Sequence, residues 1–190
     1  MVNKQYSTKY HFIFRFLLRI ISLPFILKGG KIGKKSYISY GYDLFNIRLK
    51  GILIKDEVKI GRGAWIGIVG NNGQIIIEDN TNIGRNFTAS SKKMISIGKN
   101  CLISYRVSIF DHDHLVDNPN ISPIKSGLSP SQPIIIDNDC FIGANSFILK
   151  GVRLGQHCVV GANSVVTKSF PKNSIIAGNP AKLIKNIKSY

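Results

Sequence analysis

The feature of this sequence that most constrains its fold is an aliphatic residue that recurs every six positions. Three runs show this period: Ile136, Ile142, Ile148, Leu154, Val160 and Val166; Ile97, Ile103 and Ile109; and Ile54, Ile60 and Ile66. A helix repeats every 3.6 residues and a simple strand every two. A period of six, with Gly and Asn between the aliphatic residues, therefore predicts an all-β solenoid of hexapeptide repeats, in which stacked coils bury an aliphatic ladder.

A second slot lies four residues after each aliphatic position and holds mostly small residues. All three cysteines of the chain, Cys101, Cys140 and Cys158, occupy this slot. Their wide spacing, without a CxxC pair, argues against a thiolate zinc site. We therefore interpret them as small core residues that stay reduced.

The period breaks between Ile109 and Ile136, which are 27 residues apart rather than 24. This segment contains four prolines, Pro119, Pro123, Pro130 and Pro133, together with several Asn, Gly and Ser residues. Such a composition predicts a protruding loop at about 111–133. A loop of this length in a compact domain usually carries function, and this one begins with the sequence DHDH at Asp111–His114.

The C-terminal repeats carry a family resemblance. The segment IIIDNDCFIGANSFILKGVRLGQHCVVGANSVVTKSFPKNSIIAGNPAKLIKNI, residues 134–187, resembles hexapeptide-repeat acyltransferases of the maltose/galactoside O-acetyltransferase-like branch, which includes bacterial surface-polysaccharide O-acetyltransferases. The resemblance implies a left-handed parallel β-helix over residues 31–178, followed by a short C-terminal helix at 179–190. It also implies a homotrimer with active sites between neighbouring subunits, and acetyl-CoA as the co-substrate.

The DHDH stretch supplies the candidate catalytic residues. Transfer of an acetyl group to a hydroxyl needs a base, and a neutral imidazole with a pKa near neutrality suits that task. The resemblance matches the catalytic histidine of the family to His114, and His112, two residues earlier, lies on the same side of an extended strand. We expect His114 or, failing that, His112 to be the base. Asp113 would orient it, and Asp111 and Asp117 are candidates for orienting the imidazole or binding the sugar.

A metal site is the competing interpretation of this stretch. His-x-His with flanking Asp offers plausible ligands for a divalent ion. The hexapeptide register explains the site without one, and we expect no metal.

The family's acetyl-CoA contacts can be carried over residue by residue. Gly143, Ala144 and Ala162 match positions along the pantetheine arm, and the backbone N–H near Gly143–Ala144 is the candidate for stabilising the thioester oxyanion. Thr167 and Lys168 match the contact to the adenosine end. Lys182 and Lys185 stand where the family often has arginines that meet the phosphates, although these lysines would equally suit a solvated helix face.

The net charge of +16 makes phosphate-bearing partners plausible without choosing among them. No aromatic stacking platform accompanies it, so nucleic-acid binding is not expected. Residues 1–30 predict an amphipathic helical segment. Arg15 and Arg19 interrupt its apolar run, which argues against a spanning helix, and no small-residue cleavage site follows it, which argues against a signal peptide. The segment either rests on anionic lipid or packs on the protein or a neighbouring subunit.

Taken with the family resemblance, which implies the co-substrate and the pathway, these observations predict an acetyl-CoA-dependent O-acetyltransferase that modifies a sugar or glycan hydroxyl in bacterial surface-polysaccharide synthesis. It would be cytoplasmic or peripheral on the inner face of the membrane. An N-acetyltransferase acting on an amino-sugar or antibiotic-type amine remains an alternative, as does a serine or small-alcohol acetyltransferase, because a base near a thioester serves nitrogen and oxygen alike. A carbohydrate-binding scaffold without activity is the alternative outside catalysis.

Overall fold

The structure, a computed structural model, describes residues 17, 20–39 and 49–188. Its strands are, in chain order, β1 (Lys31–Ile32), β2 (Tyr37–Ile38), β3 (Ile52–Ile54), β4 (Lys59–Ile60), β5 (Trp65–Ile68), β6 (Ile75–Ile77), β7 (Asn82–Ile83), β8 (Thr88–Ser91), β9 (Ile95–Ile97), β10 (Leu102–Ile103), β11 (Ser108–Phe110), β12 (Ile134–Ile136), β13 (Phe141–Ile142), β14 (Phe147–Ile148), β15 (Arg153–Leu154), β16 (Val159–Val160), β17 (Val165–Val166), β18 (Ser174–Gly178) and β19 (Ala181–Asn186). Two short helices, α1 (Leu23–Leu27) and α2 (Pro123–Ser126), complete the described elements.

The strands form three parallel sheets, which are the three faces of a left-handed β-helix, as expected. Face 1 comprises β1, β3, β6, β9, β12 and β15; face 2 comprises β2, β4, β7, β10, β13, β16 and β18, with β19 at its edge; face 3 comprises β5, β8, β11, β14 and β17. The chain passes from face 1 to face 2 to face 3 in each of the five coils from β3 to β17. We name the turns between them the 1–2, 2–3 and 3–1 corners.

The six-residue period is the spacing of the buried ladder. Ile97, Ile103 and Ile109 are each no more than 1% exposed, and they stack on Ile136, Ile142 and Ile148 of the next coil. The second slot also points inward: Cys101, Cys140 and Cys158 are buried free thiols, as predicted. Each thiol lies within 3.3 Å of a backbone carbonyl oxygen of the following coil, so the slot needs a small side chain.

The corners are tight because a single residue at most of them adopts a left-handed backbone conformation. In the described part of the chain, eleven such residues are not glycine, and most are Asn or Asp, whose short polar side chains tolerate this region. Their amides also link successive coils, as where the Asn145 side chain donates to the Asn163 side-chain oxygen at 3.2 Å. His157 occupies one of these positions, with a φ of 57° and an exposed side chain, as expected for a turn residue.

The break in the period is an arm that leaves the solenoid after β11 and returns at β12. Its two limbs run antiparallel: His114 pairs with Leu128, and Leu115 N–H donates to Gly127 O at 3.0 Å. The helix α2 lies near the tip. The arm therefore starts and ends at the 3–1 corner, next to the last residues of face 3.

The C-terminal helix that the resemblance implied is wrong at residues 181–186. These residues form β19, which turns back antiparallel along β18, with Ala177 opposite Lys182. The physical reason is the free edge of face 2, since an edge strand exposes backbone N–H and C=O groups that a returning segment can satisfy.

At the opposite end, α1 packs on the first coil through Phe25, which is 2% exposed. Just before it, the Ser22 hydroxyl accepts a hydrogen bond from Ile38 N–H at 3.1 Å. Leu23 and Leu27 of the same helix remain exposed. Most of the predicted amphipathic segment lies outside the described residues. Within residues 17, 20–39 and 49–188, none of the helices has the length and apolar character that crossing a bilayer requires.

Candidate active site

The centre of the candidate site is Asp111, the first residue after β11. Its side chain is fully buried, and its carboxylate accepts five hydrogen bonds. Four come from the end of β8 and the three residues after it: the Ser91 hydroxyl at 2.7 Å and the backbone N–H groups of Lys92, Lys93 and Met94 at 2.8 Å each. The fifth comes from His112. A carboxylate with this many donors is fixed in position.

The same contacts decide the charge of this carboxyl group. Burial by itself raises the pKa of Asp111, because a charge loses its hydration in the interior. The hydrogen bonds from Lys92, His112, Lys93 and Ser91 outweigh burial and hold the pKa below its usual value. Asp111 is therefore an ionised acceptor at neutral pH.

An ionised acceptor fixes the tautomer of His112. The His112 Nδ1 atom lies 2.8 Å from Asp111 Oδ1, and a carboxylate without a proton can only accept. Nδ1 therefore carries the hydrogen, and the neutral imidazole keeps its lone pair on Nε2. The His112 side chain is 9% exposed, so it is held by its surroundings while one edge still reaches a cavity.

That cavity has a volume of about 380 Å³ and lies over face 3. Its lining consists of Trp65, Ser90, Phe110, His112, Asp113 and His114. Trp65, Ser90 and Phe110 were not among the residues predicted from the sequence. A signal existed for Trp65, since the single tryptophan of the chain directly precedes a ladder residue, Ile66, and so points outward.

The remaining predicted residues of the DHDH stretch lie differently. His114 is exposed and takes part in the arm through its backbone bridge to Leu128. Asp113 is half exposed, and its carboxylate lies 2.8 Å from Lys150 Nζ rather than on an imidazole. Asp117 lies further out on the arm and is exposed. The structure thus brings His112 and Asp111 together as a pair and places His114 and Asp113 on the cavity wall.

Lys150 joins the arm to the next coil. Besides Asp113, its ammonium contacts the Ser129 hydroxyl at 2.9 Å, and that hydroxyl accepts from Asp113 N–H at 3.1 Å. Ser129 is 7% exposed and lies where the arm returns to the solenoid. The contacts hold the two limbs of the arm together beside the cavity. Across the described residues, no three metal-ligating side chains are grouped as a metal site would require.

The residues expected to bind acetyl-CoA lie at two corners and on the terminal hairpin. Ala144 and Ala162 lie one above the other at the 2–3 corner, where Asn163 N–H donates to Ala144 O at 2.8 Å. Of the two N–H groups at Gly143–Ala144, that of Gly143 donates to Val160 O at 2.8 Å. Ala144 N–H has no such partner among the described residues, and it stays the candidate donor.

Thr167 and Lys168 are exposed at the 3–1 corner, two coils beyond Asp111 and on the same side of the solenoid. With coils spaced about 4.8 Å apart, this places them roughly 10 Å along the axis from the pair. Lys168 Nζ stands 5.7 Å from the Phe170 ring centroid. Lys182 and Lys185 are exposed on β19.

One chain does not bring all of these residues together. His112 lies at the 3–1 corner and Ala144 at the 2–3 corner, so a whole face separates them. Five residues of extended chain span roughly 16 Å. Within one chain, therefore, these two groups do not meet.

Comparison with known proteins agrees with this architecture. Residues 133–168 match the family model described as the hexapeptide repeat of succinyl-transferase. A putative acetyltransferase of Dictyostelium discoideum is 40% identical over 114 residues, which cover 57% of this chain and 58% of that protein. The putative lipopolysaccharide biosynthesis O-acetyl transferase WbbJ of Escherichia coli K12 is 38% identical over 120 residues, covering 60% of this chain and 61% of that protein. The matched part thus spans about three fifths of these curated relatives.

Among solved structures, galactoside acetyltransferase in complex with coenzyme A superposes with a TM-score of 0.63. The two are 32% identical, and the match covers 70% of this chain and 64% of that one. The chain is therefore a hexapeptide-repeat protein whose sequence and fold resemble the acyltransferases of the maltose/galactoside O-acetyltransferase-like branch.

Proposed function

We propose that the protein is an acetyl-CoA-dependent O-acetyltransferase that acts on a sugar hydroxyl, with His112 as the general base. The observation that carries the proposal is the Asp111–His112 pair, a buried ionised carboxylate 2.8 Å from the Nδ1 atom of a histidine that borders a cavity. Trp65 and Phe110 give the cavity apolar walls, which suit the apolar face of a sugar ring. Relatives with acetyltransferase names support the reaction class.

The proposed reaction moves one proton, which passes through His112. His112 Nε2 takes the proton of the acceptor hydroxyl as its oxygen attacks the acyl carbon, and the resulting imidazolium is stabilised by Asp111. Collapse of the tetrahedral intermediate breaks the carbon–sulfur bond, and the same proton goes to the leaving thiolate. His112 is thereby returned to its starting form, and no external oxidant or reductant is needed.

Acetyl-CoA would supply the activated acyl group, and the residues present fit its shape. Ala144 and Ala162 carry only methyl groups at a corner where the coils stack, which leaves room for a thin pantetheine arm along the axis. Ala144 N–H would meet the oxyanion. Lys168, Lys182 and Lys185 are exposed cations toward the C-terminal end, where the phosphates would lie.

The site would be completed by a second copy of the chain. The separation of His112 from Ala144 by a whole face supports this, as does the trimer that the family resemblance implies. We further propose that the acceptor belongs to surface-polysaccharide synthesis and that the enzyme works in the cytoplasm or at the inner face of the membrane. The similarity to the E. coli lipopolysaccharide enzyme and the basic, apolar N-terminal sequence support this proposal.

The test follows release of free thiol from acetyl-CoA in the presence of a panel of neutral sugars, acidic sugars, nucleotide sugars, amino-sugars and serine. We expect turnover with at least one hydroxyl acceptor. His112→Ala should lower kcat by about 10²–10⁴-fold, because a positioned base contributes that much. His114→Ala is the matched control and should retain most of the activity.

Loss of activity in His114→Ala with full activity in His112→Ala would reverse the assignment of the base. Turnover with amines only would replace the O-acetyltransferase by an N-acetyltransferase. An absence of both turnover and CoA binding by calorimetry would leave a non-catalytic solenoid as the better description.

A further inference from the structure

We propose that the 2–3 corner of coils two to four binds the anionic group of the acceptor through Arg62, Arg85 and Arg106. The inference rests on the proposed function, because it names the chemical class of the second substrate of that site. It commits to one chemistry, a phosphate or carboxylate group carried by the saccharide.

The three arginines lie close together along the solenoid axis. Asn86 N–H donates to Arg62 O at 2.9 Å, and Arg106 N–H donates to Arg85 O at 2.8 Å, so each coil stacks on the one before. Successive coils are about 4.8 Å apart. All three side chains are exposed at this corner, so their guanidinium groups can converge on one ligand.

Charge is segregated between the corners of the solenoid. The 1–2 corner carries six of the acidic residues, Asp56, Glu57, Glu78, Asp79, Asp137 and Asp139. The 2–3 corner of the five coils described there, residues 61–64, 84–87, 104–107, 143–146 and 161–164, contains no acidic residue. Three of the four arginines in the described part of the chain lie at it. The fourth, Arg153, lies on face 1 and donates to both carboxylate oxygens of Asp137, at 2.9 and 3.1 Å.

Arg106 occupies its position against the local backbone preference. Its φ is 57°, a left-handed conformation that disfavours residues with a long side chain. The residues that stack above and below it are Asn86 and Asn145, and both are asparagine at the same turn position. Among the five described 2–3 corners, Arg106 is the one long side chain at this turn position, since the others hold Gly63, Asn86, Asn145 and Asn163.

The column of arginines continues the line of the expected pantetheine contacts. The same position of the turn in five successive coils holds Arg62, Arg85, Tyr105, Ala144 and Ala162. The first four each accept, at the backbone carbonyl, from the N–H of the left-handed residue in the next coil: Asn86, Arg106, Asn145 and Asn163. The thioester would lie near Ala144. A molecule that extends from the thioester toward the N-terminal coils meets Tyr105 first and then the arginines. The molecule on that side is the acceptor.

The guanidinium group suits two sources of negative charge. Its planar fork donates two parallel hydrogen bonds to a phosphate or to a carboxylate. The acceptor could carry a diphosphate that links the sugar to a nucleotide or lipid carrier, or it could contain an acidic sugar. Both place an anion a few bonds from the hydroxyl that is modified.

The experiment titrates the purified protein with inorganic pyrophosphate and, separately, with glucuronic acid, using calorimetry at low and moderate salt. The variants are Arg62→Gln, Arg85→Gln and Arg106→Asn, and the matched control is Arg153→Gln, which removes the same charge from face 1. We expect each of the first three to weaken binding of the preferred anion by roughly tenfold, as for a lost charge-assisted hydrogen bond. Arg153→Gln should bind as the parent does.

Arg106→Asn carries a second readout. We expect its melting temperature to equal or exceed that of the parent, because asparagine tolerates the left-handed turn, while its affinity for the anion falls. Preference for pyrophosphate over glucuronate identifies the diphosphate source, and the reverse identifies the acidic sugar.

Equal binding by parent and variants would overturn the inference, as would an equal loss in Arg153→Gln, which would indicate a general effect of net charge. A change in oligomeric state in the three variants would also overturn it, because the arginines would then hold copies together.

Turnover on neutral acceptors is measured in parallel. If this turnover persists in all variants while the affinity for the anion is the same in parent and variants, the acetyltransferase proposal stands and only this inference fails.

Discussion

At the scale of single residues, the site depends on one buried carboxylate. Asp111 holds His112 through Nδ1. The same carboxylate accepts hydrogen bonds from the backbone N–H groups of Lys92, Lys93 and Met94. The same side chain therefore serves the fold and the proposed chemistry. The two roles separate experimentally, since one is measured as stability and the other as turnover.

We expect Asp111→Asn to lower both the stability of the fold and the turnover. An amide offers one acceptor oxygen and places an NH₂ group against other donors, so buried N–H groups lose their partners at about 1–3 kcal/mol each. The free energy of unfolding should fall by about 2–4 kcal/mol, measured by chemical denaturation. Turnover per folded molecule should also fall, because no carboxylate then fixes the His112 tautomer. Normal turnover in the folded fraction would contradict the positioning role.

The pH dependence of stability gives an independent check. The pKa of Asp111 is lowered in the folded state, so its carboxylate stabilises the fold fully above the unfolded pKa of about 3.9. That contribution is lost as the pH falls through the folded pKa. Denaturation from pH 6 to pH 2.5 should therefore show a shallower acid-side decline in Asp111→Asn than in the parent. Asp79→Asn, at an exposed position with a lowered pKa, is the control for a surface carboxylate.

The sequence could identify the DHDH stretch but could not rank its histidines. Register and resemblance favoured His114, whereas the geometry favours His112. The difference depends on donors from Ser91–Met94, about 20 residues earlier, which reach Asp111 only because coils stack in one particular register. A spacing rule along one strand carries no information about that contact. Ser90 was missed for the same reason, whereas Trp65 could have been found, because this tryptophan directly precedes the ladder residue Ile66.

At the scale of elements, the arm is positioned by the coil that follows it. Lys150 contacts Asp113 at 2.8 Å and the Ser129 hydroxyl at 2.9 Å, and so links the outgoing limb, the returning limb and the 3–1 corner. Lys92 Nζ adds a contact to Ser129 O at 3.2 Å. The arm carries one wall of the cavity, so its position should affect acceptor binding more than it affects the fold.

We expect Lys150→Met to raise KM for the acceptor severalfold with a smaller change in kcat, because the methionine keeps the apolar stem but removes the ammonium. The free energy of unfolding should change by less than about 1 kcal/mol, since the Lys150–Asp113 pair is partly exposed. Amide hydrogen exchange should rise in residues 113–128 only. Lys99→Met removes a comparable pair, Lys99–Asp79 at 2.9 Å, far from the cavity, and should change neither KM nor the exchange of the arm. An equal effect in both variants would deny the arm this role.

The solenoid itself was predictable because its buried residues recur every six positions along the sequence. Ile97, Ile103 and Ile109 need no long-range information to be recognised as a ladder. The terminal hairpin was not predictable in the same way. Residues 181–186 read as a helix by family resemblance, yet Lys182 lies opposite Ala177 in a ladder that exists because β18 leaves an edge.

At the scale of the whole molecule, the parts of the proposed site point to an assembly. His112 and Ala144 lie at the two ends of face 3, where Phe147 is exposed. On the adjoining face 2, Leu102 and Phe141 are exposed on successive coils. Apolar residues that point outward from successive coils suit contact with another copy. If three copies are related by a closed rotation, each His112 would face the 2–3 corner of a neighbour.

This arrangement predicts complementation between two inactive variants. His112→Ala removes the base, and Ala162→Trp blocks the expected pantetheine path at an exposed position that can accept a larger side chain. Each homo-oligomer should be inactive. In randomly mixed oligomers, a site works when its histidine comes from an Ala162→Trp chain and its corner from a His112→Ala chain. Equal mixing in a closed ring should therefore restore about one quarter of the parent activity.

Two affinity tags purified in sequence would verify that the oligomers are mixed, and free thiol release would measure the activity. Mixed oligomers as inactive as their parents would mean that both groups act within one chain, which the separation across face 3 makes geometrically difficult.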